Sequence, residues 1–521
     1  MSTNSSLTSE GISSSAALHP STPKPNHLQL QCRIFTLPRE LRDMIYDEYI
    51  TVYGGYVYDA DDNKLVQASD GGRIDVRLMR VCRRMNQEME GLPMQKNKVT
   101  FRSYCTPESS HDAGVLHAAV NRILRTKWVK ICMVGPSLLT EDVKHQVASE
   151  FPYFRPVLDG FAELLNYDDI SEQPIFEDHY PISYGQPQSI FRDFVDLLFT
   201  LLSKHPDWAT LTDAEVARAS LVDADFVGSI PKSWSVLDRE DAERIKKTFY
   251  PEEDWSRHYF TMPSEDYAFS ATSLAIKWLG SNSFASRNLL RDIELVEAQA
   301  AVAFPESHAR GLIPYCRENP KLRIRRHANL WKSVFPSASP DRSVPDSWRL
   351  VRGWITDEVT SWVVEATSLS ALGMPANCFN LVLDGAPILA ETTEIFKVVL
   401  EDSAYQAAMD VYFANDLLTD RRWLERRGGI EGWVPNYFEG LPKMIQDLRV
   451  DGNIVCCSFD LGPDIEIDKI IKERTGWTWD EWQAERLRRW WESMTHLPSV
   501  EFLLTNDKRG NWVSIVWRRD A

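Results

Sequence analysis

The chain has 521 residues, of which 43% are hydrophobic and 26% are charged, and it contains 18 tryptophans. This content of apolar side chains is enough for a large core and excludes a wholly disordered protein. The formal net charge of -17 disfavours a general role on nucleic acid or on an anionic membrane surface, because like charges repel.

The first 28 residues differ in composition from the rest of the chain. They are rich in Ser, Thr and Pro and contain few apolar side chains, so we predict a disordered tail over residues 1–28. The tail lacks the basic and apolar regions of a secretory signal, and no later run reaches the roughly 20 apolar residues that a membrane span needs. We therefore expect a cytoplasmic or nuclear protein that has no membrane partner.

The eight cysteines indicate neither a metal centre nor a redox centre. None of them forms a C-x-x-C pair, and the usual signatures of phosphate-binding loops, zinc proteases and serine hydrolases are missing from the sequence. We expect reduced thiols, and we predict no catalytic residue, no metal site and no cofactor.

Helical periodicity begins directly after the tail. Five apolar residues recur at helical spacing and predict an amphipathic helix: Leu37, Leu41, Met44, Ile45 and Tyr49. Pro38 and Glu40 suit the first turn of that helix. After a loop rich in Gly and Asp, a second apolar stripe at helical spacing ends before Gly91 and consists of Leu78, Val81, Cys82, Met85 and Met89. Two such stripes are able to pack on each other.

The middle of the chain combines short β-rich runs with helical patterns. The runs VTFRSY at 99–104 and VKICMV at 129–134 predict strands. Helical patterns occur at 193–203, 214–223, 238–249 and 270–280. We predict a mostly helical body over residues 105–335, followed by a Pro-rich linker at 336–347.

The C-terminal part, residues 348–521, mixes predicted helices and strands. It opens with a helical pattern, and the run FNLVLDG predicts a strand that ends in a turn. The dipeptide Asp451-Gly452 favours a tight hairpin. Farther on, Thr478 and Glu481 have the spacing of a capping box and open a Trp-rich helix.

The stretch FPESHARGLIPYC gathers side chains that are typical of polar sites. Glu306, His308, Arg310 and Cys316 are candidates for an acid–base pair or for the wall of a pocket. The alternative is a short helix that begins at Pro305 and leads to a strand, LRIRR, with a basic outer face.

A basic run follows that stretch and consists of Arg317, Lys321, Arg323, Arg325 and Arg326. Such a run binds phosphate or an acidic partner, or it faces solvent and pairs with neighbouring carboxylates. In a chain with this negative charge, nucleic-acid binding through the run is the weakest of these alternatives.

The two apolar stripes also carry a family pattern. The segments FTLPRELRDMIYDEYI and LMRVCRRMNQEMEG resemble the fungal F-box-like proteins, in which an L-P-x-E-[IL]-R-x-x-I-Y helix precedes an L-x-x-V-C-R element and an N-x-[FV]-x-F strand. The matching residues are Leu37, Pro38, Glu40, Leu41, Arg42, Ile45, Tyr46, Leu78, Val81, Cys82, Arg83, Asn97, Val99 and Phe101. Later segments such as NLVLDG and GWTWDEW are similar to a group of large, mostly uncharacterised proteins of filamentous fungi that share this N-terminal pattern.

The resemblance implies a module and a partner. In F-box proteins a three-helix bundle packs against a small adaptor of a cullin ubiquitin ligase, and the rest of the chain holds the substrate. The resemblance therefore implies an F-box-like module over residues 29–104, with partner-binding roles for Leu37, Pro38, Leu41, Ile45, Leu78 and Val81. The same stripes are expected if they merely pack against the body of the protein, so both interpretations stay open.

We expect an α+β fold in which the F-box-like helical module precedes a large mixed body. The leading hypothesis is a non-enzymatic adaptor that serves as a substrate receptor for a cullin-type ubiquitin ligase and binds an unknown protein substrate. The alternative is an enzyme or a small-molecule-binding protein of unknown reaction, with a pocket near His308, Arg310 and Cys316.

Overall fold

The computed structural model describes residues 32–160, 184–211, 231–249, 267–335, 352–413 and 437–492. The predicted tail at 1–28, the helical pattern at 214–223 and the linker at 336–347 lie outside the described residues. The chain divides into two compact units, residues 1–51 and residues 52–521. Helices combined with a mixed sheet confirm the predicted α+β class.

The described part of the first unit is a short 3-10 helix, Arg33–Thr36, and then helix α1, Arg39–Ile50. Pro38 stands directly before α1, where a backbone N–H would have no partner inside the helix. The guanidinium group of Arg42 donates to the Leu37 carbonyl oxygen at 2.6 Å and ties the helix to the preceding turn. The first predicted helix is therefore present.

The described residues of the second unit form seven strands and helices of widely different lengths. The strands are β1 (Tyr56–Asp59), β2 (Lys64–Gln67), β3 (Val99–Arg102), β4 (Asp292–Glu297), β5 (Arg323–Asn329), β6 (Phe379–Asp384) and β7 (Val455–Cys457). The described helices are α2 (Arg83–Met89), α3 (Leu92–Lys96), α4 (Pro107–Leu138), α5 (Glu141–Glu150), α6 (Arg155–Asp159), α7 (Gln188–Leu202), α8 (Arg239–Phe249), α9 (Ala271–Ser281), α10 (Phe284–Arg287), α11 (Ile313–Glu318), α12 (Arg352–Ser368), α13 (Leu389–Tyr412), α14 (Leu441–Asp447), α15 (Ile467–Glu473) and α16 (Trp479–Trp490). Short 3-10 helices occur at Leu78–Arg80, Pro152–Phe154 and Pro305–Leu312, and a single π-helical turn occurs at Leu330–Val334.

The strands form one sheet in the order β2-β1-β3-β4-β5-β6-β7. Strands β1 and β2 form an antiparallel hairpin, and every other pair of neighbours in this sheet is parallel. From β3 onwards, each strand lies beside the next one in sequence, so every crossover moves in the same direction across the sheet. Because crossovers between parallel strands are right-handed, this order places the connecting helices on one face of the sheet.

The helix-covered face of the sheet holds the main hydrophobic core. Alternate strand residues are buried there, among them Tyr56, Val99, Phe101, Ile293, Leu295, Ile324, Ala328, Leu381, Leu383 and Val455. Helix α9 packs on β3 and β4, and α12 contacts β7. Complete burial of one Leu, Ile or Phe side chain stabilises the fold by about 1.5–3 kcal/mol, so this layer dominates the stability of the unit.

The run VKICMV at 129–134 lies in the middle of the 32-residue helix α4, and the strand predicted there is wrong. Ile131 and Val134 are buried in a second hydrophobic cluster that also contains Phe191 and Phe194 of α7. Packing of α4 against α7 stabilises the helical backbone, and these tertiary contacts outweigh the strand preference of Val and Ile.

The second apolar stripe does not form one helix, contrary to the prediction. Leu78–Arg80 form a 3-10 turn, and α2 begins only after Cys82, whose backbone is extended with φ of −157°. The Cys82 sulfur accepts the backbone N–H of Met85 at 3.4 Å and caps α2. Met85 and Met89 are buried, whereas Val81 is 66% exposed. The extended Cys82 therefore divides the stripe between the core and the surface.

Two predicted features of the C-terminal half are also wrong. The turn at Asp451 and Gly452 joins α14 to β7, which pairs in parallel with β6, so no hairpin forms there. A dipeptide determines the local turn but not the partner of the following strand.

Strands β5 and β6 are hydrogen-bonded neighbours, so one sheet continues across the boundary that was predicted between residues 105–335 and 348–521.

Gly55 has a left-handed backbone, φ 75°, directly before β1. A Cβ atom at this position would overlap the carbonyl oxygen of Lys98. We expect Gly55→Ala to lower the free energy of unfolding by about 2 kcal/mol or more, because backbone strain and steric overlap add. Gly71→Ala is the matched control, since Gly71 has φ of 70° but open space around it. Urea denaturation of both variants measures the difference, and equal losses would contradict the steric explanation.

Candidate functional site

Helix α1 carries apolar side chains on two faces. On one face, Tyr46 and Ile50 are buried together with Arg42. The other face has an exposed apolar stripe, here called the α1 stripe, formed by Leu41 (45% exposed), Met44 (67%), Ile45 (41%) and Tyr49 (36%). Met44 and Ile45 lie three and four positions after Leu41, and Tyr49 lies four positions after Ile45, so these residues adjoin one another along the helix. A contiguous apolar helix face of this kind is typical of a protein-binding surface.

The six residues predicted to bind a partner differ in exposure. Leu41, Ile45 and Val81 are exposed apolar side chains, and Pro38 is also exposed. Leu37 and Leu78 are half-buried, which suits residues that support a helix or turn. Met44 and Tyr49 belong to the predicted stripe, and their exposure adds them to the surface that a partner would contact.

His308 lies in the Pro305–Leu312 turn and is 1% exposed. Its Nε2 lies 2.9 Å from the carbonyl oxygen of Ala303, so Nε2 carries the proton. Its Nδ1 lies 2.8 Å from the Ser270 hydroxyl group and 3.1 Å from the Ser273 hydroxyl group, and it accepts a hydrogen bond from this pair of serines. Burial, with the nearby Arg326 charge, lowers the pKa of His308 to about 3. The imidazole is neutral and both nitrogens are engaged, which gives His308 a structural role.

The backbone that His308 holds is strained. Ala303 and Phe304 have φ of 60° and 63°, a left-handed conformation that non-glycine residues rarely adopt. Such residues cost about 1–3 kcal/mol each and persist only where the surroundings fix them. The hydrogen bond from His308 to the Ala303 carbonyl oxygen supplies part of that constraint.

A fully buried ion pair lies beside this turn. Arg326 Nη2 and Glu297 Oε1 are 2.9 Å apart, and both side chains are 1% exposed. Glu297 also accepts the N–H of Ala271 and the hydroxyl group of Thr272 at the start of α9, each at 2.8 Å. Arg326 donates further to the Pro305 carbonyl oxygen at 2.7 Å. These hydrogen bonds are what allow a charge pair to be tolerated in a protein interior.

Two more carboxyl groups, Glu306 and Glu365, lie close to the charges of Arg192 and Arg326. Burial, with the neighbouring Glu365 carboxyl group, raises the pKa of Glu306 to about 7. Glu365 accepts the N–H and the hydroxyl group of Ser189 at 2.6 and 2.7 Å, and burial raises its pKa. Glu306 is partly exposed, so this group takes up a proton from solvent near neutral pH.

Arg310 and Cys316 have different structural roles. Arg310 donates to the Ser189 carbonyl oxygen at 3.0 Å and pairs with Asp193, which ties its turn to α7. Cys316 is buried in the main core near Cys378, and burial raises the pKa of its thiol to about 12. A protonated, enclosed thiol is unreactive. The prediction that Cys316 lines a pocket with His308 is therefore wrong, because its contacts are those of a core residue.

The basic run divides between two faces of the sheet. Arg326 lies in the core, whereas Arg323 and Arg325 alternate with it and are exposed on the opposite face. Arg317, outside the strand, donates to the Gly373 carbonyl oxygen at 2.9 Å. The basic outer face predicted for this strand is present.

Sequence reasoning missed a small polar pocket between α12, α13 and α16. Its lining includes Asp357, Asp402, Arg486 and Arg489. Asp402 accepts from the Thr356 hydroxyl group at 2.8 Å, and burial lowers the pKa of Arg486 to about 10. The carboxylates and guanidinium groups neutralise one another there. These residues come from distant segments, so no local motif indicates the pocket.

Within the described ranges, no group of three or more His, Cys, Asp or Glu side chains is arranged to hold a metal ion. None of the helices in the same ranges combines the length and the apolar character that crossing a bilayer requires. Comparisons with protein-family models, with curated proteins and with solved structures find no match to this chain.

Proposed function

We propose that this protein is a non-enzymatic adaptor that binds a partner protein through the α1 stripe. The observation that carries the proposal is the exposure of Leu41, Met44, Ile45 and Tyr49 on one face of a helix whose opposite face is buried. Removal of such a stripe from water supplies affinity, and apolar anchors at helical spacing supply specificity for a groove.

The pattern of these residues supports one class of partner. The resemblance to F-box-like proteins includes Leu37, Leu41 and Ile45, and F-box proteins bind a small adaptor subunit of a cullin ubiquitin ligase. In this proposal the α1 stripe binds that subunit in the cytoplasm or nucleus, and the second unit recruits a protein substrate.

The test is the affinity of the full-length protein for a purified small adaptor subunit of a cullin ligase. We expect Leu41→Asp combined with Ile45→Asp to weaken binding at least about 30-fold, because loss of the two apolar anchors together costs about 2 kcal/mol or more. Both side chains are exposed, so the variant should fold, as circular dichroism will verify.

Val411→Asp is the matched control, since Val411 is an exposed apolar residue on a different helix, α13, at 61% exposure. This variant should bind like the unaltered protein. Lack of adaptor binding by the unaltered protein, or equal binding by the double variant, would refute the proposal.

A further inference from the structure

One face of the sheet is polar and partly open to solvent along β4 and β5, whereas Thr100 of β3 and Val382 of β6 are buried on it. Parallel sheets are usually covered by helices on both faces. Here the strand burial alternates, so that in β5 the exposed Arg323 and Arg325 stand between the buried Ile324, Arg326 and Ala328. The side chains that alternate with the core residues form what we call the outer face.

The register places the outer-face residues of neighbouring strands side by side. Arg102 of β3 lies opposite Val296 of β4, which lies opposite His327 of β5. In the adjacent row Glu294 lies opposite Arg325. Arg102 and Arg325 therefore lie on this face on strands that are two positions apart, while Arg323, also on this face, donates to the carbonyl oxygens of Pro320 and Leu322.

The charges on this face are not equally satisfied. Glu294 pairs with Lys98 and lies 3.4 Å from His327 Nε2, so its carboxylate is already compensated. Arg102 and Arg325 are exposed, and neither guanidinium group has a hydrogen bond or an ion pair with a side chain of the described residues. Their exposed positive charges are complementary to carboxylates, which an acidic segment carries.

We propose that the outer face binds an extended acidic segment of a partner protein, in which two carboxylates pair with Arg102 and Arg325. Strands are about 4.8 Å apart and residues within a strand about 3.3 Å apart, which places the two arginine backbones about 12 Å from each other. Carboxylates four residues apart in an extended chain are separated by about 13 Å, so one segment spans both. Arginine suits this role because its planar group binds a carboxylate through two hydrogen bonds.

An acidic protein segment fits this face better than nucleic acid. The exposed carboxylate of Asp292 stands on the same face and would repel a continuous phosphate backbone. A peptide carries isolated charges and is able to place apolar residues over Val296. The inference supplies the substrate side of the proposed adaptor function, but its chemistry does not depend on α1.

The test is fluorescence anisotropy with the full-length protein and short labelled peptides. The probe alternates Glu and Val, and its control alternates Gln and Val. We expect the Glu peptide to bind at least tenfold more tightly, and we expect higher salt to weaken that binding, because the contacts are ionic. Arg102→Glu combined with Arg325→Glu should weaken it at least tenfold, and Arg102→Lys with Arg325→Lys should retain most of it.

Lys469→Glu with Lys472→Glu makes the same change in net charge on α15, away from the sheet, and should leave binding unchanged. Leu41→Asp with Ile45→Asp should also bind the peptide normally, so failure of the adaptor proposal and failure of this one are separable. Equal binding of the two peptides, an unaffected arginine variant, no peptide binding at low salt, or tighter binding of duplex DNA would each overturn the inference.

Discussion

Replacement of Arg326 by methionine is expected to lower the free energy of unfolding by about 3–5 kcal/mol, because it leaves the Glu297 carboxylate buried without its cation. Both side chains are 1% exposed, so water does not replace the lost partner. The substitution also removes a cation–π contact, since the Arg326 guanidinium lies 4.4 Å from the Trp362 ring centre. Urea denaturation followed by tryptophan fluorescence measures the change.

A second residue of β5 provides the control for Arg326→Met. Arg325 is the preceding residue and points to the opposite, exposed face, so Arg325→Met should change stability by less than about 0.5 kcal/mol. Adding Glu297→Gln to Arg326→Met should restore part of the loss, because it removes the buried charge. A loss below about 1 kcal/mol in Arg326→Met would contradict the assigned role of the ion pair.

Stability is expected to fall steeply as the pH drops below about 4.5. The folded pKa of His308 is about 3, below its ordinary value of 6.5, so between these values the unfolded chain binds a proton that the native protein does not. This group therefore removes up to about 1.4 kcal/mol of stability per unit of falling pH in that window. Glu294, whose pKa is lowered to about 2 by His327 and Lys98, acts in the same direction below its ordinary value of 4.5.

Glu306 changes stability with pH in the opposite direction and offsets part of the contribution of His308. Its folded pKa of about 7 lies above its ordinary value of 4.5, so the native protein holds an extra proton and loses stability as the pH rises through that range. Between about 4.5 and 6.5 the contributions of His308 and Glu306 oppose each other, and we expect a shallow pH dependence there.

The variant His308→Asn separates the contribution of His308 to the pH dependence of stability from that of Glu306. The variant should lose stability with rising pH between about 4.5 and 6.5, where the unaltered protein changes little, and its acid slope should be smaller. Cys316→Ala is the control, because it removes a buried group whose pKa of about 12 lies outside the acid range. It should lower stability by the same amount at every acidic pH. Parallel pH profiles for His308→Asn and the unaltered protein would disprove the assignment.

Local patterns predicted elements whose contacts agree with their intrinsic preferences. The helix α9 begins next to Ser270 within the predicted range, and the capping box of Thr478 and Glu481 opens α16. Strands β3 and β6 lie inside their predicted runs, and β5 begins within its predicted run and continues beyond it. Capping and strand alternation depend on neighbours in sequence, so the sequence shows them directly.

Elements whose environment decides their conformation were not predictable in this way. Ile131 and Val134 favour strands in isolation, yet they stabilise α4 because that helix is buried against aromatic residues of α7. Likewise, the motif around His308 suggested chemistry, but Ser270 and the Ala303 carbonyl oxygen come from other segments and engage both ring nitrogens.

The sequence by itself determined the mixed α+β class and the amphipathic character of α1, because both follow from the spacing of apolar residues. Only the tertiary structure decided which faces are covered. Alternation places Arg325 and Arg326 on opposite sides of β5, but the direction of the crossovers decides which side the helices bury. For that reason Arg326 became half of a buried ion pair, and Arg325 remained exposed.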